Sequence, residues 1–165
     1  MCAYLKERWE KPGSRYHVMK EMFACLHKLE VLSADWPKKV RHYEKVLFGG
    51  GRKQYEALHQ YRMPDKIAEQ LLSYFIYVYF AGAVYDGMPY SKVKLAVIST
   101  MLIEDMVCAK AAEKGQLSFE AIADAAHSYA REVEHSDLNL QRLSTMFRHQ
   151  KCFHIGRLCG ALLEW

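Results

Sequence analysis

A wholly or mostly α-helical fold, one compact domain of about six to seven helices with two long central helices antiparallel, is what this sequence predicts. Three observations carry that prediction. Apolar residues recur at three- and four-residue steps along nearly the whole chain, segments of strict two-residue alternation are almost absent, and glycine, proline and capping residues punctuate the pattern at short intervals. Half of the 165 residues are hydrophobic (51%) and a quarter are charged (25%), a balance that suits one sizeable core and argues against disorder.

The punctuation sets the elements in order. Residues 1–13 read as a short lead-in that ends at Pro12-Gly13-Ser14. Beyond it Tyr16, Met19, Met22, Phe23, Leu26 and Leu29 form the apolar stripe of a first helix. Ser33 or Asp35 can cap a second helix, with Pro37 in its first turn and Gly49-Gly50-Gly51 at its end. A shorter helix follows from Arg52 to Tyr61, and Asp65 can cap a long apolar helix running to about Tyr85. The aromatic and valine-rich run from Phe75 to Val84 reads as helix from its length and flanking caps, and the segment around Leu71 to Val84 reads as a buried helix, too short and interrupted for a membrane span. After Asp86-Gly87 and Pro89, a second long helix extends to Lys114, and Gly115 stands where a left-handed terminator is wanted. Ser118 begins a helix to about His135, Ser136 or Asp137 caps another to about Arg148, and a last short helix covers Phe153 to Leu163.

Charge and cysteine usage exclude several classes. The net charge of +4 comes from 23 basic and 19 acidic residues that are interleaved, which is a solvated surface rather than a nucleic-acid footprint. Only Arg142 to Arg157 is locally basic. Five scattered cysteines (Cys2, Cys25, Cys108, Cys152 and Cys159) with no CxxC pair read as reduced thiols of a cytoplasmic protein. The triple glycine lacks the companions of a Walker or dinucleotide loop. The sequence therefore declares no cofactor of its own, no nucleic-acid partner and no membrane partner.

Candidate chemistry gathers in a few places. Glu132 and His135 share a helix face three residues apart, as do Glu56 and His59, and Glu69 and Glu104 lie in apolar helices. Two such pairs plus two lone glutamates match the donor types of a di-iron bundle. The competing reading makes His135 and Asp137 a helix junction favoured by the helix dipole, and Glu56-His59 surface. Glu104 and Asp105 interrupt the most apolar helix, and buried carboxylates need a partner. Arg131 or a tyrosine hydroxyl of the Tyr74–Tyr85 helix is the expected one, giving a structural polar pair or a general acid. Tyr74, Tyr77, Tyr79, Tyr85 and Tyr90 crowd one region, either as core or as an aromatic pocket for a lysine or methylammonium. Met101, Met106 and Met146 suggest an apolar face that could dock a partner helix or a second copy.

Tyr79-Phe-Ala-Gly-Ala-Val-Tyr-Asp-Gly87, Ser91-Lys-Val-Lys-Leu-Ala-Val97 and Tyr129-Ala-Arg-Glu-Val-Glu-His-Ser-Asp-Leu-Asn139, together with Glu30-Val-Leu-Ser-Ala-Asp-Trp36, occur in that family's order and resemble the C-terminal region of the bacterial flagellin lysine-N-methylases. The resemblance implies methylation of lysine ε-amines with S-adenosylmethionine, flagellin as protein substrate, and a cytoplasmic setting. It also implies a cysteine-rich catalytic half, of which this chain holds no counterpart. The domain would then bind protein substrate or complete the active-site wall. The matching residues are Tyr85, Asp86, Glu104, Arg131, Glu132, His135 and Asp137. The alternative reading is a non-enzymatic interaction or dimerisation module, a homo-oligomer included.

Overall fold

The computed structural model describes residues 14–163, so the lead-in and Cys2 lie outside the described residues. Among these there is no strand. Eight α-helices of eight or more residues and one four-residue helix exceed the six to seven expected, the short one arising where the long apolar helix divides at Phe80–Gly82. The helices are α1 (Arg15–Leu26), α2 (Trp36–Phe48), α3 (Gly51–Leu58), α4 (Asp65–Tyr79), α5 (Ala83–Asp86), α6 (Pro89–Lys114), α7 (Phe119–Tyr129), α8 (Asp137–His149) and α9 (Ile155–Leu163).

Helix α6 is the axis of the molecule. Apolar residues fall all around it rather than on one stripe, and it is accordingly buried on every side from Leu95 to Ala111. It packs against α1, α2, α3, α4, α5, α7 and α8. The core around it is continuous, with Trp36, Phe23, Tyr55, Phe75, Tyr129 and Phe147 among its largest members. Pro89 opens α6 where no N–H is required. Gly115 closes it at φ +71°, with the amides of Gln116 and Gly115 donating to the carbonyls of Ala111 and Ala112 in a Schellman turn.

Several boundary signals act as expected. Ser118 accepts the Ala121 amide at 3.2 Å and Ser136 accepts that of Asn139 at 3.1 Å, each capping its helix. Asp35 and Asp65 do not cap. Asp35 stands at the N-cap but spends its carboxylate on Lys39 at 2.9 Å, and Asp65 lies inside the first turn of α4, behind Pro64.

The helix read as ending near His135 stops at Tyr129. It passes into a π-helical turn, Ala130–Glu134, closed by the His135 amide on the Ala130 carbonyl. Likewise the long apolar helix breaks after Tyr79 into a 3₁₀ turn, Phe80–Gly82, before α5. Gly82 and the bulky residues before it are poor helix formers.

Helices α4 and α6 do pair antiparallel: Ala68 and Leu72 share a groove with Met101 and Val97, while Gly82 approaches Lys92 at the far end. The expectation that both are core helices is overturned for α4. It lies on the outside and fully buries only Phe75. The stretch Asp65–Asp86 is long and apolar enough to cross a membrane by length and composition, with only 6% of its apolar window buried. The tyrosines account for the difference, since ring and hydroxyl make them apolar in pattern and tolerant of water in fact. Met101, Met106 and Met146 are buried, so they form no docking face.

Candidate functional site

Arg15 begins the construction of the site. It occupies the apolar stripe of α1 with Met19, Met22 and Leu26, and its side chain is 2% exposed. A buried guanidinium demands carboxylates, and α6 supplies two. Arg15 Nη2 donates to Glu104 Oε2 at 3.3 Å and to Asp105 Oδ1 at 3.1 Å. The Tyr55 hydroxyl from α3 donates to Asp105 Oδ2 at 2.8 Å. Asp105 is therefore saturated, whereas Glu104 has one weak partner and an open side.

That asymmetry has an electrostatic consequence. Burial lifts the Glu104 carboxyl, and Asp105 beside it adds to the rise while Arg15 opposes it, leaving its pKa at about 7. Burial also raises the Tyr55 phenol, with Asp105 reinforcing, and lowers the neighbouring His59 imidazole. The cluster opens on two sides. A depression of about 270 Å³ is lined by Arg15, Tyr16, Arg52, Tyr55, Glu56 and His59. A groove of about 200 Å³ runs between α4 and α6 over Ala68, Leu72, Val97, Met101 and Leu162, with Glu104 in its wall and Glu69 and Thr100 beside it. The groove surface is mostly apolar, with Glu69, Thr100 and Glu104 as its polar lining residues, so it suits a ligand with an aliphatic stem and a basic tip.

A second polar centre surrounds the π turn. The turn sends alternate glutamates in different directions. Glu132, fully buried, accepts the amides of Leu32 and Ser33 at 3.0 and 3.2 Å and so holds the loop between α1 and α2. Asn139 completes that clamp: it donates to the carbonyls of Glu30 and Glu132 and accepts the Glu30 amide. Glu134 faces α4 instead and accepts the hydroxyls of Tyr74 at 3.0 Å and Tyr79 at 2.9 Å. Burial and Glu134 together raise both phenols.

The seven residues singled out from the sequence do not form one site. Glu104 belongs to the Arg15 cluster. Its partner is neither Arg131 nor a tyrosine of the 74–85 segment, because those groups belong to the π-turn side of α6. Arg131 lies 3.8 Å from Asp35 and 3.7 Å from Glu132. Glu132 is a loop clamp, while His135 and Asp137 are exposed, so the shared-face pair places one member inside and the other in water. Asp86 binds Lys92 at 2.7 Å and accepts the Met88 amide, and Tyr85 is 92% exposed.

The metal candidates are equally dispersed. Glu56 pairs with Arg52, Glu69 with Lys66, and His59 borders the depression. Among the described residues no group of three His, Cys, Asp or Glu could hold a metal ion. Nor do the tyrosines form a core or a closed cage, since Tyr77, Tyr85 and Tyr90 are exposed.

Arg15, Tyr55 and Glu134 were missed as site residues. For Arg15 the signal was present, an arginine in phase with the apolar stripe of α1. Nothing local marks Tyr55 or Glu134, whose partners are 50 or more residues away. Cys25 and Cys152 also converge. Both thiols donate toward the side-chain oxygen Oε1 of Gln150, at 3.1 and 3.9 Å.

The model of the FliB lysine N-methylase C-terminal domain matches residues 3–161. The chain belongs to that family. No curated protein and no solved structure is detectably similar to it. The triple-glycine loop does not fit S-adenosylmethionine, the methyl donor implied by the resemblance. Gly49–Gly51 joins two helices rather than a strand to a helix, and the Gln54 side chain fills the space over Gly50.

Proposed function

We propose that this domain forms the lysine-binding wall of a protein lysine methylation site, with the apolar groove between α4 and α6 as the seat of the lysine side chain. The carrying observation is Glu104, a buried, incompletely partnered carboxyl in the wall of a mostly apolar groove. The lysine methylenes lie against Leu72, Val97 and Met101 and the ammonium meets Glu104. A lysine stem stabilises apolar surface while its head seeks a carboxylate, so both halves of the side chain find a match.

A carboxyl that exchanges its proton near neutrality can also take the proton of the incoming ammonium, leaving the amine lone pair that methylation requires. Arg15 and Asp105 position Glu104 without reaching the groove. The methyl donor and the groups that bind it are assigned to a separate catalytic half, and bacterial flagellin in the cytoplasm is the proposed protein substrate.

Titration calorimetry of the chain with flagellin tests this reading. Binding is expected to fall at least tenfold on acetylation of the flagellin lysines, and to a similar degree in Glu104→Gln or in Val97→Trp, which fills the groove. Equal affinity for native and acetylated flagellin would sink it.

A further inference from the structure

Two cysteines far apart in the sequence meet at the seam between α1 and the turn that leads into α9, and neither belongs to the Glu104 groove or to the π-turn centre. Cys25 stands in the last turn of α1, and Cys152 in the 3₁₀ turn Lys151–Phe153, which packs against α1. Their thiols share one acceptor, Gln150 Oε1, at 3.1 and 3.9 Å, and they also hydrogen-bond each other. Both cysteines are buried, but Gln150 is half-buried, and Ala24, Lys28 and Lys151 around them are exposed. The pair therefore lies just beneath the surface.

The two sulfurs are not equivalent. Cys152 donates to Cys25, and that hydrogen bond, aided by the Lys28 charge, pulls the Cys25 thiol below its ordinary value against the opposing effects of burial and Glu21. The same bond, together with burial, pushes the Cys152 thiol up. Cys108 and Cys159 are raised as well, each chiefly by burial. Among the described cysteines Cys25 alone has the character of a nucleophile, and a protonated thiol stands beside it. The backbone at Cys152 can also yield. Its 3₁₀ turn is a single one between the extended residues Gln150 and His154, so closing from thiol contact to an S–S bond of about 2 Å does not have to bend a helix.

We infer that Cys25 and Cys152 are a peroxide-sensitive thiol pair, Cys25 attacking and Cys152 resolving, which closes to a reversible disulfide between α1 and the turn before α9. The Cys25 thiolate attacks one oxygen of hydrogen peroxide. The O–O bond breaks, the hydroxide released takes up the thiol proton as water, and Cys25 is left as a sulfenic acid. The Cys152 sulfur then displaces the sulfenic hydroxyl: the S–S bond forms, the S–O bond breaks, and the Cys152 proton leaves with the hydroxyl as a second water. Both electrons come from the thiols, and the peroxide is reduced to water.

The reduced full chain, treated with hydrogen peroxide, blocked with iodoacetamide and digested with trypsin without reductant, tests this. Trypsin isolates Cys25 in residues 21–28 and Cys152 in residues 152–157, apart from the other cysteines. The expected product is these two peptides joined, lighter by two hydrogens than the free pair, and dithiothreitol should separate them. In Cys152→Ser, dimedone should capture about tenfold more sulfenic acid on Cys25 than in the wild type, because the resolving thiol is gone. In Cys25→Ser, Cys152 should stay a thiol. The wild-type link needs no variant, so a serine that disturbs the fold leaves that test intact. Free thiols at both positions after peroxide, a disulfide from Cys25 to Cys2 or Cys159 in place of this one, or a link that forms only in urea would overturn the inference. So would equal dimedone labelling of Cys25 in the wild type and in a folded Cys152→Ser.

Discussion

At pH 5 the Glu104 carboxyl is protonated in the folded chain, and at pH 8 it is ionised in a buried place beside Asp105, with Arg15 and the more weakly acting Arg62 opposing the cost. Its pKa of about 7 stands above the ordinary 4.5. The folded state therefore binds more protons than the unfolded state between those values, and stability falls as pH rises through that window. The full shift corresponds to about 3 kcal/mol at 1.36 kcal/mol for each pH decade. Glu104→Gln should therefore be more stable than wild type at pH 8 and nearly equal to it at pH 5, as read by urea unfolding at both values. An identical pH slope in the variant would contradict the assignment. Arg15→Met acts the other way: it strands two buried carboxylates and should cost about 3–5 kcal/mol, measurable in the same experiment at pH 7.

Among the elements, the π turn has the clearest division of labour. The dense polar stretch from Arg131 to Asp137 was visible in the sequence as a helix junction, and Ser136 caps α8 as its position predicts. The direction of each glutamate was not visible, because an extra residue in a turn rotates every side chain after it. Glu132 therefore points to a loop a hundred positions away, where shared-face reasoning paired it with His135. Glu132→Ala should accelerate hydrogen exchange at the Leu32 and Ser33 amides by at least tenfold while leaving the α6 amides protected. Unchanged exchange at those two amides would show that the loop is held by Asn139 alone.

Helix α4 carries a related lesson. Its periodicity and caps announced a helix correctly, and antiparallel pairing with α6 followed from the short joint at Gly87. Whether it lies inside or outside depends on what else covers it, and tyrosine reads the same in either place. The fracture at Phe80 was equally hidden, since a glycine within an apolar helical pattern reads the same whether the helix continues through it or breaks.

At the scale of the whole molecule, α6 cannot be stable alone, because its apolar surface runs all around it and needs its neighbours on every side. The helical class, the order of most helices and the central role of α6 were legible because composition and period survive any tertiary arrangement. The Arg15 cluster was only partly so. It joins α1, α3 and α6, and no local pattern records which distant helix completes a buried charge. The groove at Glu104 likewise depends on Leu162 of α9 meeting Val97 and Met101.

The last helix seats on the first: α9 packs along α1, and Arg157 grips Glu21 through both guanidinium nitrogens at 2.9 and 3.0 Å. Topologically the described fold is a ring with a nick in it, and the place of the nick is not what holds it together. A permuted chain, opened within Gly49–Gly51 and with the original termini joined by a flexible linker so that every residue is kept, should therefore fold to the same helical content. It should melt within a few degrees of the parent by circular dichroism. A permutant that fails to fold, with the linker lengthened as a control, would mean that α2 and α3 must be joined before α6 can be enclosed.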